Sequence, residues 1–204
     1  MRIVAGRLRG KKIHAPIDQS IRPTSDRVRE ALFNILSSRL EDGFEGKKVL
    51  DLFAGTGALG LEALSRGVQM VAFVDNGAQA RGLIRSNIEK FGLGGQSKLL
   101  KRDATNLGTA QKFEPFDLVF LDPPYGLEMG EKALKSSMAG NWFAEGAIIV
   151  FEEKKGVEVI IPDGFVLLDK RDYGTSTIRF LRVLSKAPLP KVGTGFGVED
   201  LAKK

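Results

Sequence analysis

Apolar residues fall in two rhythms along this chain. From Val28 they recur at Ala31, Leu32, Ile35 and Leu36, the spacing of one helical face, with Thr24 or Ser25 placed to cap a helix that runs to about Leu40. Beyond it, short runs of buried type alternate with amphipathic stretches. The pattern predicts strands over 48–53, 70–75, 97–102, 116–121 and 146–151, and helices over 58–66, 78–91 and 131–139. Strands separated by helices need crossover connections, which build a mostly parallel sheet covered on both faces. The last two runs, 165–170 and 177–183, are joined by 171–176, which leaves no room for a helix, so the sheet should finish in an antiparallel edge hairpin. The expected fold is a doubly wound α/β domain of seven strands.

The two ends follow other patterns. Strand-like pieces at 2–4 and 12–14 flank the basic turn Gly6-Arg7-Leu8-Arg9-Gly10, which predicts a small β-hairpin. Residues 185–204 are rich in Pro, Gly and Lys and carry no apolar period. The expected organisation is therefore a basic hairpin arm over 1–24, the α/β domain over 25–184, and a loosely held tail.

Composition narrows the function. A hydrophobic fraction of 43% and a charged fraction of 27% belong to a globular protein that buries a core. No apolar run is long enough to span a bilayer and no secretory pattern opens the chain, so a cytoplasmic location is expected. The chain has no cysteine, which excludes disulfides, thiolate metal sites and any cysteine nucleophile, including the one used for cytosine C5 methylation. Its single histidine, His14, belongs to the basic arm, has no acidic or histidine companion at metal-ligand spacing and reads as a surface residue or a contact for a polyanion; no metal is expected. Net charge is +6, and it is polarised: Arg2, Arg7, Arg9, Lys11, Lys12 and Arg22 precede the first helix against Asp18 alone. Such a cluster attracts polyanions, so these six are the candidate contacts for a phosphate backbone.

Two motifs carry chemistry. Gly55-Thr56-Gly57-Ala58-Leu59-Gly60 matches GxGxxG between a predicted strand and a predicted helix. Its glycines permit a tight turn and close backbone approach, and the helix start presents unpaired N–H groups. Asp75 closes the next strand, about 18 residues past Gly57, where a carboxylate can take ribose hydroxyls. Nicotinamide enzymes and S-adenosylmethionine enzymes share this arrangement. Asp51 favours the second, since a carboxylate just upstream of the glycines suits an ammonium group and opposes a pyrophosphate. Asp103, ending the third strand, can accept from an adenine amino group. With the adjoining Phe53 and Ala104, the cofactor-binding set is Asp51, Phe53, Gly55, Gly57, Asp75, Asp103 and Ala104.

Asp122-Pro123-Pro124-Tyr125 follows the fourth strand at its carboxyl end, where open α/β sheets place their sites. Consecutive prolines stiffen the loop and remove two donors, leaving the Asp122 carboxylate and the Pro123 carbonyl as acceptors. Those acceptors suit an exocyclic NH₂ on a planar base, on whose face the Tyr125 ring can stack. Asp122, Pro123 and Tyr125 are thus the catalytic candidates, in a reaction where positioning does most of the work. Trp142 and Phe143 read as core residues because of their size. Arg171, Asp172 and Tyr173 either border the target pocket or form a plain turn.

With these residues in hand, the sequence resembles the bacterial RsmD family, which methylates guanine N2 in 16S ribosomal RNA. The likeness extends from Met1 to about Val183. Its most specific blocks are Arg2-Ile3-Val4-Ala5-Gly6 with Arg9-Gly10, and the run from Arg22-Pro23-Thr24-Ser25-Asp26-Arg27 through Val28-Arg29-Glu30-Ala31-Leu32-Phe33-Asn34. The resemblance implies a Rossmann-like methyltransferase using S-adenosylmethionine on guanine 966 of 16S ribosomal RNA within the small subunit or its assembly intermediate; a monomer is expected. It implies that Asp51, Gly55 and Gly57 contact the methionine part of the cofactor, Asp75 the ribose, Asp103 the adenine, and Asp122 with Tyr125 the guanine. Gly77 departs from the family, where a second acidic residue is common. The readings left beside it are an amino methyltransferase of another base or of DNA, a non-catalytic RNA-binding assembly factor, and a nicotinamide oxidoreductase.

Overall fold

A computed structural model describes residues 1–15, 25–40 and 42–185; Arg22 and the tail from 186 onward lie outside the described residues. In chain order the elements are α1 (Asp26–Arg39), β1 (Lys48–Leu52), α2 (Ala58–Ser65), β2 (Met70–Val74), α3 (Ala78–Phe91), β3 (Ser97–Leu100), β4 (Phe116–Leu121), α4 (Met129–Ala139), β5 (Phe143–Lys154), β6 (Phe165–Tyr173) and β7 (Ser176–Val183). They form one seven-stranded sheet in the order β3-β2-β1-β4-β5-β7-β6. The first five strands run parallel, and β7 is antiparallel to both β5 and β6. The doubly wound fold with its antiparallel C-terminal hairpin is thus present, with β7 inserted between β5 and β6.

Ser25 caps α1, its hydroxyl accepting the Val28 N–H at 3.2 Å, while Thr24 lies outside the described residues. Each central strand splits its side chains between two cores, as period-two geometry requires. Val49, Leu118, Phe120, Ile148, Val150, Ile178 and Phe180 face α1, α2 and α3; Leu50, Leu52, Val119, Leu121, Ile149, Phe151 and Leu181 face α4. On the α4 side Trp142 is fully buried, stacked on Phe116 at 6.0 Å, with its indole N–H given to the Gly108 carbonyl at 2.7 Å. Burying a side chain of this class contributes about 1.5–3 kcal/mol. Phe143 is half-buried and meets Phe165 edge-on at 5.9 Å. Both are structural residues, as their size suggested.

Three strands differ most from expectation, while β3 stops at Leu100 and α4 begins at Met129. β5 begins at Phe143, before the Glu145-Gly146 interruption, because a register irregularity between Phe116 and Leu118 of β4 accommodates the extra length. β6 and β7 extend through the polar run to a two-residue turn at Gly174-Thr175, so Arg171, Asp172 and Tyr173 are strand residues. They pair along the hairpin: Arg171 with Asp169 at 3.0 Å, and Asp172 with the Thr177 hydroxyl at 2.7 Å.

The N-terminal segment closes on itself through an Arg2–Lys12 bridge, the Ile3 N–H to Lys11 bond at 3.0 Å, and the Gly10 N–H to Ile3 bond at 2.9 Å. This hairpin does not stand free. Ile3, Leu8 and Ile13 are buried in the core shared by α1, α2 and α3. Buried Glu62 of α2 accepts the Val4 and Ala5 N–H groups at 2.8 and 3.0 Å, and also holds Arg66 at 2.9 Å and Arg29 at 3.6 Å. The Asp26-to-Arg29 block thereby clasps the chain start, since Arg29 also bonds the Arg2 carbonyl and Asp26 at 2.8 Å.

Candidate active site

The glycine loop leaves β1 in strained backbone. Phe53 adopts φ +56°, which a non-glycine residue rarely does, and Gly55 and Gly57 follow at +56° and +76°. The turn is tied to the sheet by the Ala54 N–H to Val74 carbonyl bond at 3.1 Å. Gly60 is needed for space: a Cβ there would lie 2.3 Å from the Phe73 ring and 2.9 Å from Asp51 Oδ2.

Asp51 lies beneath this turn at 3% exposure, accepting the Gly60 N–H at 3.0 Å. Burial pushes its pKa up to about 8, opposed by that amide bond and reinforced by the Asp75 charge. Asp75 accepts the Gly55 N–H at 2.9 Å on one oxygen and the Gly77 N–H at 2.8 Å on the other. Gly77 thus serves Asp75 as a backbone donor. Each Asp75 oxygen keeps a lone pair for a further donor. Asp103 is exposed, with one oxygen taken by the Thr105 amide and hydroxyl at 2.8 and 2.7 Å; neighbouring Ala104 is buried.

The proline loop is held from β5. Tyr125 donates its hydroxyl to Glu152 Oε1 at 2.7 Å, and the Gly126 N–H goes to Glu153 Oε1 at 3.1 Å. Glu153 is 1% exposed beside buried Arg179, whose pKa falls because burial opposes its charge. Pro123 is buried, while Asp122 and Tyr125 are half-buried. Asp122 is raised well above the carboxylate range, first by burial and then by the charges of Glu152, Asp51 and Glu153. Tyr125 is raised as well, by burial and by its bond to Glu152, with the Ser176 hydroxyl at the hairpin tip as a neighbour.

Strand register explains the grouping. Asp51 pairs with Phe120 and Leu121 pairs with Phe151, so Asp122 leaves β4 between the ends of β1 and β5. By alternation from Val49, Phe120 and Val150, the side chains of Asp51, Asp122 and Glu152 emerge on one face of the carboxyl edge. Glu152, Glu153 and Ser176 were not among the expected site residues. The signal available was two acids ending an otherwise apolar strand.

Arg2, Arg7, Arg9, Lys11 and Lys12 are all exposed on the docked hairpin. Arg2 pairs with Asp26 at 3.5 Å, Arg7 bonds Gln96, and Lys11 sits 5.9 Å from the Phe91 ring centre. Among the described residues, no group of three or more His, Cys, Asp or Glu side chains is placed to hold a metal ion, and no helix is long and apolar enough to cross a membrane.

The chain is similar to known proteins over most of its length. The Ribosomal RNA small subunit methyltransferase D of Haemophilus influenzae is 32% identical over 181 residues, covering 88% of this chain and 92% of that protein. Its Escherichia coli K12 namesake is 34% identical over 154 residues, 76% of this chain and 75% of that one. The solved structure of the Escherichia coli protein yhhF superposes with a TM-score of 0.77 at 30% identity, covering 90% of this chain and 98% of that one. A structure from Thermus thermophilus gives 0.69 at 30% identity, with 91% and 99% covered. The family model described as "Conserved hypothetical protein 95" matches residues 1–182, and on these grounds the chain belongs to the RsmD family.

Proposed function

We propose that this protein transfers a methyl group from S-adenosylmethionine to the exocyclic N2 amine of a guanine in 16S ribosomal RNA of the small subunit, acting as a cytoplasmic monomer. The observation that carries the reading is the convergence of Asp51 and Asp122 at adjacent strand ends on one face, one beneath a glycine turn and the other on a proline-stiffened loop. Relatives that cover most of the chain are named for methylation of small-subunit ribosomal RNA.

The residues present fit the cofactor. Carboxylates crowd this edge so closely that burial and mutual repulsion raise Asp51 and Asp122 together, and a ligand bearing positive charge relieves that strain. Asp51 with the Gly55 and Gly57 backbone would hold the ammonium end, Asp75 the ribose hydroxyls, and Asp103 with Ala104 the adenine side; Phe53 fixes the turn. The bound cofactor supplies an electrophilic methyl group on a sulfonium sulfur.

The chain's own residues supply aim and proton handling. Asp122 and the Pro123 carbonyl accept the two amine hydrogens, which orients the nitrogen lone pair and lowers its delocalisation into the ring. Tyr125, its hydroxyl fixed by Glu152, offers its ring to the base face, a contact worth about 1–3 kcal/mol. In its ionised form Asp122 takes the proton that the amine sheds after its nitrogen becomes positive, and it need not be a strong base because that nitrogen is by then acidic. Cationic charge arriving nearby favours its ionised, accepting form. The basic hairpin meets the RNA backbone, with Arg22 completing that set outside the described residues.

The test is transfer of labelled methyl to small subunits from cells lacking the enzyme, followed by digestion to nucleosides. N2-methylguanosine is expected. Label in adenosine, or transfer to DNA alone, would refute the substrate. Asp122→Ala should lower the rate roughly 10²- to 10³-fold, the scale for losing a group aligned with the reacting centre, with cofactor and RNA binding largely kept.

A further inference from the structure

The hairpin and the glycine loop share one side chain. Asn87 of α3 is fully buried, and its amide makes three bonds to backbone. Its Oδ1 accepts the His14 N–H at 2.7 Å, and its Nδ2 donates to the His14 carbonyl at 3.1 Å and to the Thr56 carbonyl at 3.2 Å. His14 stands at the end of the hairpin's second limb, next to Lys11 and Lys12. Thr56 is the middle residue of Gly55-Thr56-Gly57. A planar amide that grips both polar groups of one residue cannot follow His14 without turning, and turning misdirects its remaining bond to Thr56.

The surroundings leave few other ways to accommodate such a movement. Thr56 is 5% exposed and Ile84, one turn earlier on α3, is fully buried 3.3 Å from where a Cβ on Gly57 would stand. Beside Asn87 on the same helix, the Ser86 hydroxyl meets the His14 ring at 2.9 Å, and Lys90 caps the Lys12 carbonyl at 2.8 Å. The second limb of the hairpin is thus fastened along α3 over more than one helical turn, and Asn87 alone among these three residues also holds the glycine loop.

We infer that Asn87 is a positioning residue through which RNA held on the hairpin and cofactor held at the glycine loop strengthen each other's binding. The inference rests on the proposed function, since it needs the hairpin to be an RNA surface. Its physical basis is shared ordering: either ligand fixes the three-bond amide, so the second ligand meets a site already restrained. Reciprocity requires the two enhancements to be equal.

The experiment measures the affinity of S-adenosylhomocysteine with and without small subunits lacking the methylation, and of the subunits with and without S-adenosylhomocysteine. In the unaltered protein each ligand should tighten the other by about fivefold or more, the lower end of ordinary coupling. In Asn87→Ala both ligands should still bind while the factor falls to about one. A merely structural role would weaken each affinity and leave their ratio alone. If alanine prevents folding, Asn87→Asp keeps the acceptor for the His14 N–H and removes both donors, and the factor should again fall. Hydrogen exchange over 53–60 gives a second reading: RNA should slow it in the unaltered protein and leave it unchanged in the variant. A factor of one in the unaltered protein, with both ligands bound, overturns the inference and leaves the proposed function standing. So does a factor that survives in the variants. Failure of the unaltered protein to bind small subunits overturns the proposed function, and this inference with it.

Discussion

Asp51 is held at 3% exposure by one amide, and burial pushes its pKa to about 8. A carboxyl raised in the folded state contributes fully to stability only below its unfolded pKa, about 3.9, and that contribution is lost as pH rises toward 8. Near pH 8 and above, Asp51 therefore weighs against folding. Asp51→Asn keeps an acceptor for the Gly60 N–H and removes the charge. Its melting temperature should exceed that of the unaltered protein by roughly 2–8 °C around pH 8.5, for a gain of about 1–2 kcal/mol, and the difference should shrink toward pH 4. Calorimetric scans across that range check the sign. The same variant should bind S-adenosylhomocysteine at least about tenfold more weakly, because the ammonium loses its opposite charge. Stability and binding moving in opposite directions would mark this carboxylate as one retained for its ligand.

The hairpin depends on close backbone approach to α2. Gly6 has φ +78°, and a Cβ there would stand 1.9 Å from the Ser65 carbonyl oxygen, which accepts the Arg7 N–H at 2.8 Å. Gly6→Ala should cost about 2–4 kcal/mol, combining positive-φ strain with the loss of this seat. Denaturant melts measure it, and protection from hydrogen exchange should fall first over residues 2–13.

The same element shows what sequence pattern can and cannot convey. The apolar rhythms of β1, β2 and β4 and of α3 revealed those elements because burial selects for side-chain period. The glycine turn and the proline loop were legible because backbone geometry there demands particular residues. β6 extends to Tyr173 by backbone pairing with β7, which polar side chains such as Arg171 and Asp172 do not disclose. Nothing in the local sequence marks Glu62 or Asn87, each a polar residue within a helix. What each binds is backbone from a segment dozens of residues away, and no local spacing encodes that. Glu152 and Glu153 lie just past the expected strand end at 151, yet one fixes Tyr125 and the other the Gly126 amide.

Charge is distributed across the molecule in opposition. Carboxylates from β1, β4 and β5 gather at one sheet edge, while exposed Arg7, Arg9, Lys11 and Lys12 lie on a hairpin packed outside α2 and α3. A polyanion is therefore steered to the hairpin and repelled from the acidic edge until a cationic ligand neutralises it. Replacing Arg7, Arg9 and Lys11 together by Gln should weaken binding of unmodified small subunits. It should also reduce the slope of log affinity against log salt by about 2, from three phosphate contacts at roughly 0.7 each. Filter binding over a salt series reads both, and an unchanged slope would place the RNA on another surface. The insertion of β7 between β5 and β6 bears on how such an enzyme is born. β5 and β6 emerge from the ribosome in succession yet have no pairing with each other, and must wait for the final strand to be made before either finds its neighbour on that side. Ser176, which helps seat Tyr125, arrives with that same strand. On the proposed function, a chain whose β7 has not yet been made lacks Ser176, a hydrogen-bonding neighbour of Tyr125, so methyl transfer by ribosome-bound chains should appear only once β7 has emerged.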